Sequence, residues 1–228
     1  MRAELRDGDE VFSVTLLDRP GATHAVLFAV GAGGDPERQH GPLLEALAAR
    51  GGAVVAPHFS RLSPAPSADE LATRARRLRL ALDLVARPGL SVAGVGHSIG
   101  AMLLLALAGG RAWQREGSPL ALGRDARLGR LALLAPAAGY FLAPGALADV
   151  NLPILLWTAS GDVITPAAQA RQALAGLGAG ASLDARQLEG GGHFSFLHTL
   201  PPGVTDPQAD RDGLLAELSA ELCAFVGA

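Results

Sequence analysis

Short apolar runs alternate along this chain with longer segments in which apolar residues recur at helical spacing. The runs have the length of single strands: Ala25–Val30, Ala53–Pro57, Val92–Gly96, Leu131–Ala135 and Ile154–Ala159. Uninterrupted runs of this kind are typical of parallel strands that are buried on both faces. Helices are predicted between and after them, from apolar stripes or a first-turn proline, at Leu43–Leu47, Leu71–Val85, Met102–Ala108, Pro166–Leu174 and Leu214–Phe225.

Two further segments have the alternating pattern of strands with one exposed face. Val11–Leu17 is predicted to be an edge strand and Ala181–Leu188 a half-exposed strand. Because strands alternate with helices and no repeat or linker intervenes, residues 1–228 are predicted to form one α/β domain. Its sheet should be mainly parallel, with helices on both faces. The four arginines that punctuate the Leu71–Val85 stripe are interpreted as a solvated helix face.

Composition and charge narrow the classes of partner. Hydrophobic residues make up 49% of the chain, but no apolar run approaches the ~18 residues of a membrane span, so none is expected. Charged residues dominate the first ten positions, which lack the apolar core of a signal peptide and predict a cytoplasmic protein. A net charge of −3 argues against a nucleic-acid partner. The oligomeric state stays open, a homo-oligomer included.

Several kinds of chemistry are disfavoured by the residue types. All 19 basic residues are arginine, which excludes a phosphate-loop lysine and a lysine Schiff base. No pair of His, Cys or carboxylate residues has the spacing of metal ligands, so neither a metal nor a cofactor is expected. A nucleotide-binding domain is a weaker alternative, because Pro36 and Ile99 stand where the two candidate glycine loops need their last glycine.

Candidate chemistry centres on the pattern Gly-x-Ser-x-Gly at Gly96–Gly100, between an apolar strand and an apolar helix. That layout is typical of a nucleophile elbow, in which a Cβ at either glycine would strike the neighbouring strand or helix. The turn would expose the hydroxyl of Ser98 and aim the N–H of Ile99 at an oxygen that the serine attacks. The chain contains 29 glycines, so the pattern needs support from its context.

That support comes from the other strand ends. The loop Gly31–Gly34, Asp162 and His193 each follow a predicted strand, as Ser98 does, and ligands of parallel sheets bind beyond the carboxyl ends of the strands. A serine needs an imidazole to take its proton, and the imidazole needs a carboxylate to fix its tautomer. The developing oxyanion needs two N–H donors.

Three motifs carry a resemblance to a known superfamily. They are Gly96-His97-Ser98-Ile99-Gly100, Ser160-Gly161-Asp162-Val163-Ile164-Thr165-Pro166 and Gly191-Gly192-His193-Phe194. Their order along nearly the whole chain resembles that of the α/β hydrolases. With the segment His193–Leu197, the chain looks like the dienelactone-hydrolase-like group, although it has Ser98 where dienelactone hydrolase proper uses a cysteine.

The resemblance implies roles for individual residues. Ser98 would be the nucleophile, His193 the general base and acid, and Asp162 the orienting carboxylate. Asp184 and Asp149 remain alternatives for the acid, and His198 for the base. The oxyanion donors would be the N–H groups of Ile99 and Ala32, with Gly33 as the alternative to Ala32.

The expected function is a serine hydrolase that acts on a small-molecule acyl substrate through an acyl-enzyme, without a cofactor. Gly33, His97 and Phe141 are candidate substrate-binding residues, although His97 is also expected to pack and hydrogen-bond beside the serine. The segment Ala137–Asn151 lies where such folds place a cap, which is therefore expected to be short or absent. A catalytically silent protein of the same fold, used for binding, is the alternative.

Overall fold

A computed structural model describes residues 1–228, in which eight strands form one sheet. In chain order the strands are β1 (Arg2–Asp7), β2 (Glu10–Leu17), β3 (His24–Ala29), β4 (Gly52–Pro57), β5 (Ser91–His97), β6 (Leu128–Leu134), β7 (Pro153–Ala159) and β8 (Ser182–Leu188). Their spatial order is β1-β2-β4-β3-β5-β6-β7-β8. All neighbours from β4 to β8 pair in parallel, whereas β2 is antiparallel to both β1 and β4.

Five α-helices cover the two faces of this sheet. They are α1 (Pro36–Ala49), α2 (Ala68–Leu82), α3 (Ile99–Leu107), α4 (Ala167–Leu174) and α5 (Arg211–Val226). Apolar residues of α2, α3 and α4 join a core cluster of 41 buried residues on one face. Those of α1 and α5 join a cluster of 22 residues on the other. The predicted fold class, an α/β sheet with helices on both faces, is confirmed.

Local signals explain where α1 and α2 begin. Asp35 accepts a hydrogen bond from the N–H of Arg38 and is followed by a proline, so α1 begins with a side-chain cap and a favourable first residue. Ser67 and Glu70 form a reciprocal capping box at the start of α2. These caps fix the starts of the helices that flank the glycine loop after β3.

The structure corrects the prediction for the edge of the sheet. Residues Arg2–Asp7, interpreted from the sequence only as a charged segment, form β1 and pair along β2, so Val11–Leu17 is not the edge strand. Their alternation of exposed and half-buried positions carries little hydrophobic signal, because the strand buries few side chains. At the other edge, β8 is more exposed than the predicted half-exposed strand.

A second correction concerns α2, whose arginines do not all lie on a solvated face. Arg76 is exposed, as predicted, but Arg74 is only 2% exposed. Its neighbours at helical spacing, Leu71 and Leu78, are fully buried, so Arg74 lies on the same buried face of the helix. The prediction that Arg74 is exposed, which was based on its charge, is therefore wrong.

Candidate active site

The topology brings three sequence-predicted residues to one end of the sheet. Ser98 follows β5, Asp162 follows β7 and His193 follows β8, and these strands lie on one side of the sheet with β6 among them. Since the strands are parallel, their carboxyl ends meet at the same edge. Residues far apart in the chain thus become neighbours.

Ser98 occupies a sharp turn between β5 and α3. Its backbone has φ 56° and ψ −121°, a conformation that a non-glycine residue adopts only under constraint. A Cβ on Gly96 would lie 2.8 Å from the backbone nitrogen of Ala101, and one on Gly100 would lie 2.0 Å from the carbonyl oxygen of Ala29. The close approaches that the sequence pattern predicts at both glycines are present.

Ser98, His193 and Asp162 form a continuous line of hydrogen bonds. The Oγ of Ser98 lies 3.0 Å from Nε2 of His193, and Nδ1 of His193 lies 2.8 Å from Oδ2 of Asp162. All three residues are buried, at 5 to 8% exposure. Because an ionised carboxylate only accepts hydrogen bonds, the proton between His193 and Asp162 belongs to Nδ1. The Nε2 atom is then free to accept the hydroxyl hydrogen of Ser98.

Asp162 has a complete set of donors around its carboxylate. Its Oδ1 accepts from the N–H groups of Ile164 and Thr165, both at 2.8 Å. Burial raises the pKa of the carboxyl, but hydrogen bonds from His193 and Thr165 and the charge of His193 outweigh it and hold the pKa below its ordinary value. The carboxylate is therefore ionised at neutral pH.

Thr165 belongs to the same network, although the sequence analysis does not predict it. Its Oγ1 lies 2.7 Å from Oδ2 of Asp162 and 3.0 Å from both Nδ1 of His193 and the carbonyl oxygen of Ala135. The hydroxyl has one hydrogen, which serves one of the two acceptors, and its oxygen shares the single Nδ1–H of His193 with Asp162. The signal in the sequence was a hydroxyl residue three positions after the candidate acid.

Two segments near Ser98 carry the N–H groups that the sequence analysis predicts as oxyanion donors, and these groups have no acceptor in the protein. Ile99 is the first residue of α3, so its N–H has no acceptor within the helix. The N–H groups of Ala32 and Gly33 donate to no other group of the chain. A Cβ on Gly31 would lie 3.5 Å from Cβ of Ser98, which shows how closely this loop approaches the serine.

Comparison with known proteins supports the fold. No family model matches the chain, and no curated protein sequence matches it. Among solved structures, dienelactone hydrolase from Anabaena variabilis is similar over 98% of this chain and 94% of that chain, with 21% identity and a TM-score of 0.67. The chain has the α/β-hydrolase fold.

Two further structures with this fold are similar at comparable levels. A serine hydrolase homologue from Coxiella burnetii matches over 99% of this chain and 97% of its own, at 15% identity and a TM-score of 0.66. Esterase 2 from Thermogutta terrifontis, phosphoramylated by tabun, matches over 99% of this chain and 95% of its own, at 16% identity and a TM-score of 0.62.

Between β6 and β7 of this α/β-hydrolase fold, where a cap would be inserted, the chain has only a short connection. It contains a 3-10 helix at Ala138–Phe141 and turns. The prediction of a short or absent cap is thus confirmed. Phe141, a predicted substrate contact, is 2% exposed and lies against Gly110, beyond the far end of α3. Since α3 has nine residues, about 13 Å of helix separate that position from Ser98.

The remaining candidates are placed as follows. His97 is buried, and its Nε2–H donates to the carbonyl oxygen of His193 at 3.0 Å. Asp184 is exposed and paired with Arg186, and Asp149 is exposed near Arg111. The backbone N–H of His198 donates to the carbonyl of Gln39, and Nδ1 of its ring has no partner. Neither alternative acid nor this histidine therefore joins the hydrogen-bonded line.

Gly33 lies against the side chain of Gln39, since a Cβ on it would be 2.5 Å from the Nε2 atom there. It lies in the loop beside Ser98, and its role as an oxyanion donor or substrate contact stays a prediction. No group of three or more His, Cys, Asp or Glu side chains is arranged to hold a metal ion. None of the helices combines the length and apolar character that crossing a membrane requires.

Proposed function

We propose that this protein is a serine hydrolase that cleaves an ester, thioester or related acyl substrate through an acyl-enzyme on Ser98. The observation that carries the proposal is the hydrogen-bonded line from Ser98 through His193 to Asp162, with distances of 3.0 Å and 2.8 Å. A serine hydroxyl becomes a nucleophile when a neighbouring imidazole can take its proton. The line supplies that imidazole in the required tautomer.

In the proposed reaction, Oγ of Ser98 attacks the acyl carbon while Nε2 of His193 takes the hydroxyl proton. The negative oxygen that forms is bound by the N–H of Ile99 and by that of Ala32, with Gly33 as the alternative donor. His193 then gives its proton to the leaving alcohol or thiol, and the acyl group stays on Ser98. Water attacks the acyl-enzyme by the same route in reverse, and the acid is released.

The surroundings of the site are open and partly apolar. Val163 and Ile164, directly after Asp162, are 89% and 55% exposed, so exposed apolar side chains follow the candidate acid in the chain. Together with the short connection in place of a cap, this supports a carboxylesterase or a dienelactone-hydrolase-like enzyme. The similar esterase 2, which reacts with tabun, supports the same reaction class.

A fluorophosphonate probe tests the proposal directly, because it phosphonylates only an activated serine. The wild-type protein should gain one adduct on Ser98, and Ser98→Ala and His193→Ala should gain none. Ser182→Ala, at an exposed serine in β8, is the matched control and should label like wild type. A folded wild-type protein that never labels would contradict the proposal and favour a catalytically silent binding protein.

The acid is tested by exchanging one carboxylate at a time. Asp162→Asn should lower kcat for a p-nitrophenyl ester by about 10²-fold to 10⁴-fold, because the amide no longer fixes the Nδ1–H tautomer of His193. Asp184→Asn, at the exposed aspartate paired with Arg186, should leave kcat unchanged. If Asp162→Asn retained the wild-type kcat, the assignment of the acid would be wrong even with Ser98 labelled.

A further inference from the structure

Arg74 is a buried cation whose hydrogen-bonding partners are all backbone carbonyl groups. Its guanidinium donates to the carbonyl oxygens of Gly31 at 3.0 Å, Ala32 at 3.4 Å and Ser60 at 2.6 Å. The ring of Phe59 lies 4.6 Å from the guanidinium carbon. No carboxylate forms an ion pair with it. The guanidinium is therefore held by carbonyl dipoles and an aromatic ring without a direct ion pair, and the charge of Glu70 acts on it only from a longer distance.

Two loops meet at this guanidinium. Gly31 and Ala32 belong to the glycine loop after β3, and Ser60 belongs to the loop after β4. The loops also bond directly, because the N–H of Leu62 donates to the carbonyl of Ala32 at 2.9 Å. A Cβ on Gly34 would lie 2.1 Å from the carbonyl oxygen of Phe59, so the two backbones are in close contact. Arg74 joins them from the α2 side.

The direction of the peptide groups connects Arg74 to the candidate oxyanion donors. In a trans peptide the C=O and N–H bonds point in opposite directions. The carbonyl of Gly31 shares its peptide unit with the N–H of Ala32, and the carbonyl of Ala32 shares its unit with the N–H of Gly33. Both carbonyls point at Arg74, so both N–H groups point away from it, and neither has an acceptor in the chain.

Charge adds to this geometric effect. Burial lowers the pKa of Arg74 to about 10, which leaves the guanidinium protonated at neutral pH. A positive charge at the carbonyl end of a peptide unit polarises the unit and strengthens its N–H as a donor. The effect is large where water is excluded, and Arg74 is 2% exposed.

We propose that Arg74 is a positioning residue of the oxyanion hole, whose guanidinium orients and polarises the peptide units that carry the N–H groups of Ala32 and Gly33. The inference rests on the proposed function, since it concerns the oxyanion of that reaction. Arg74 touches neither the substrate nor the reacting atoms and acts through the glycine loop. Its effect should therefore appear in the transition state and not in ground-state binding.

Substitution of Arg74 should separate kcat from KM. In Arg74→Met, kcat per active site for p-nitrophenyl acetate should fall about tenfold to a hundredfold, less than or equal to the loss of one direct oxyanion donor. KM should stay within about twofold. Arg76→Met, which removes an exposed arginine of the same helix, is the matched control and should retain the wild-type kcat. Titration with the fluorophosphonate probe gives the concentration of active sites. Because kcat is divided by that concentration, unfolded protein does not lower its value.

A second measurement reports on the oxyanion itself. A trifluoromethyl ketone forms a tetrahedral adduct with an active serine and places an oxyanion between the same N–H donors. Its affinity for Arg74→Met should fall by about the same factor as kcat. A merely structural role would lower the melting temperature and leave both quantities unchanged for the sites that titrate. That result would overturn the inference.

Arg74→Lys covers the case in which Arg74→Met does not fold. Lysine keeps the charge, but one ammonium group cannot reproduce the planar fork that spans carbonyls of two loops. We expect an intermediate kcat per titrated site, and a wild-type value would overturn the inference. If the wild-type protein itself neither labels nor turns over the ester, the proposed function fails and the inference fails with it. Labelled wild type with fully active Arg74 variants contradicts the inference alone.

Discussion

His97 holds the backbone of His193: its Nε2–H donates to the carbonyl oxygen of His193 at 3.0 Å. The two rings lie 4.9 Å apart. The residue before the candidate nucleophile thus supports the loop that carries the candidate base. This contact gives the Nε2–H of the buried His97 an acceptor.

Replacement of His97 distinguishes this support from the predicted substrate contact. His97→Leu removes the donor, so we expect kcat to fall about tenfold, with KM within about twofold. His97→Gln keeps an N–H near the same position and should retain more of kcat. Steady-state kinetics with a p-nitrophenyl ester provide the measurement. A raised KM with unchanged kcat would instead show that His97 binds substrate.

Thr165 should contribute to catalysis through its hydroxyl group. Thr165→Val keeps the shape of the side chain but removes the contacts to Asp162 and His193. We expect kcat/KM to fall about tenfold, which corresponds to about 1.4 kcal/mol. Thr165→Ser restores a hydroxyl and should recover most of the activity. Equal activity of the valine and serine variants would speak against a role for the hydroxyl.

Gly100 should not tolerate a methyl group. A Cβ there would lie 2.0 Å from the carbonyl oxygen of Ala29, so β3 and α3 would have to separate. We expect Gly100→Ala to lower the free energy of unfolding by at least about 3 kcal/mol. Gly129→Ala is the control, since its Cβ would meet only a backbone oxygen at 3.5 Å. Urea unfolding measures both, and equal stabilities would contradict the close approach.

His40 should make the folded state less stable in acid. It is fully buried, neither ring nitrogen has a partner, and burial, together with the charge of His198, lowers its pKa from 6.5 to about 3. The unfolded chain therefore binds a proton that the folded chain does not. The contribution of His40 to the free energy of unfolding should be fully present above about pH 6.5. Between that pH and pH 3 it should fall by about 1 kcal/mol per pH unit.

His40→Leu removes this titration and should reduce the slope of stability against pH by that amount. The carboxylates contribute equally to both proteins and cancel in the comparison, whereas the pKa of His97, lowered by burial and also by the charges of His193 and His40, responds to the substitution. Urea unfolding at several pH values between 7.5 and 4.5 gives the two slopes. Parallel slopes would mean that His40 is protonated, or is exposed to water, in the folded state.

Much of this protein follows from local signals in its sequence. The buried parallel strands appear as continuous apolar runs, because both faces of such strands are covered. The two glycines around Ser98 indicate a turn that leaves no room for a Cβ, and the atoms in the way belong to Ala101 at Gly96 and to Ala29 of β3 at Gly100. Asp162 and His193 are singled out by their places after predicted strands, because strand ends of a parallel sheet meet at one edge.

Other features depend on contacts between distant segments, and only the tertiary structure decided them. Arg74 is buried because two loops bring three carbonyl groups to it, whereas its residue type predicts exposure. Thr165 joins Asp162 and His193 because the loops after β7 and β8 close on each other. Phe141 turns into the core instead of toward Ser98. A side chain's neighbours are set by packing between elements, which no periodicity along the chain encodes.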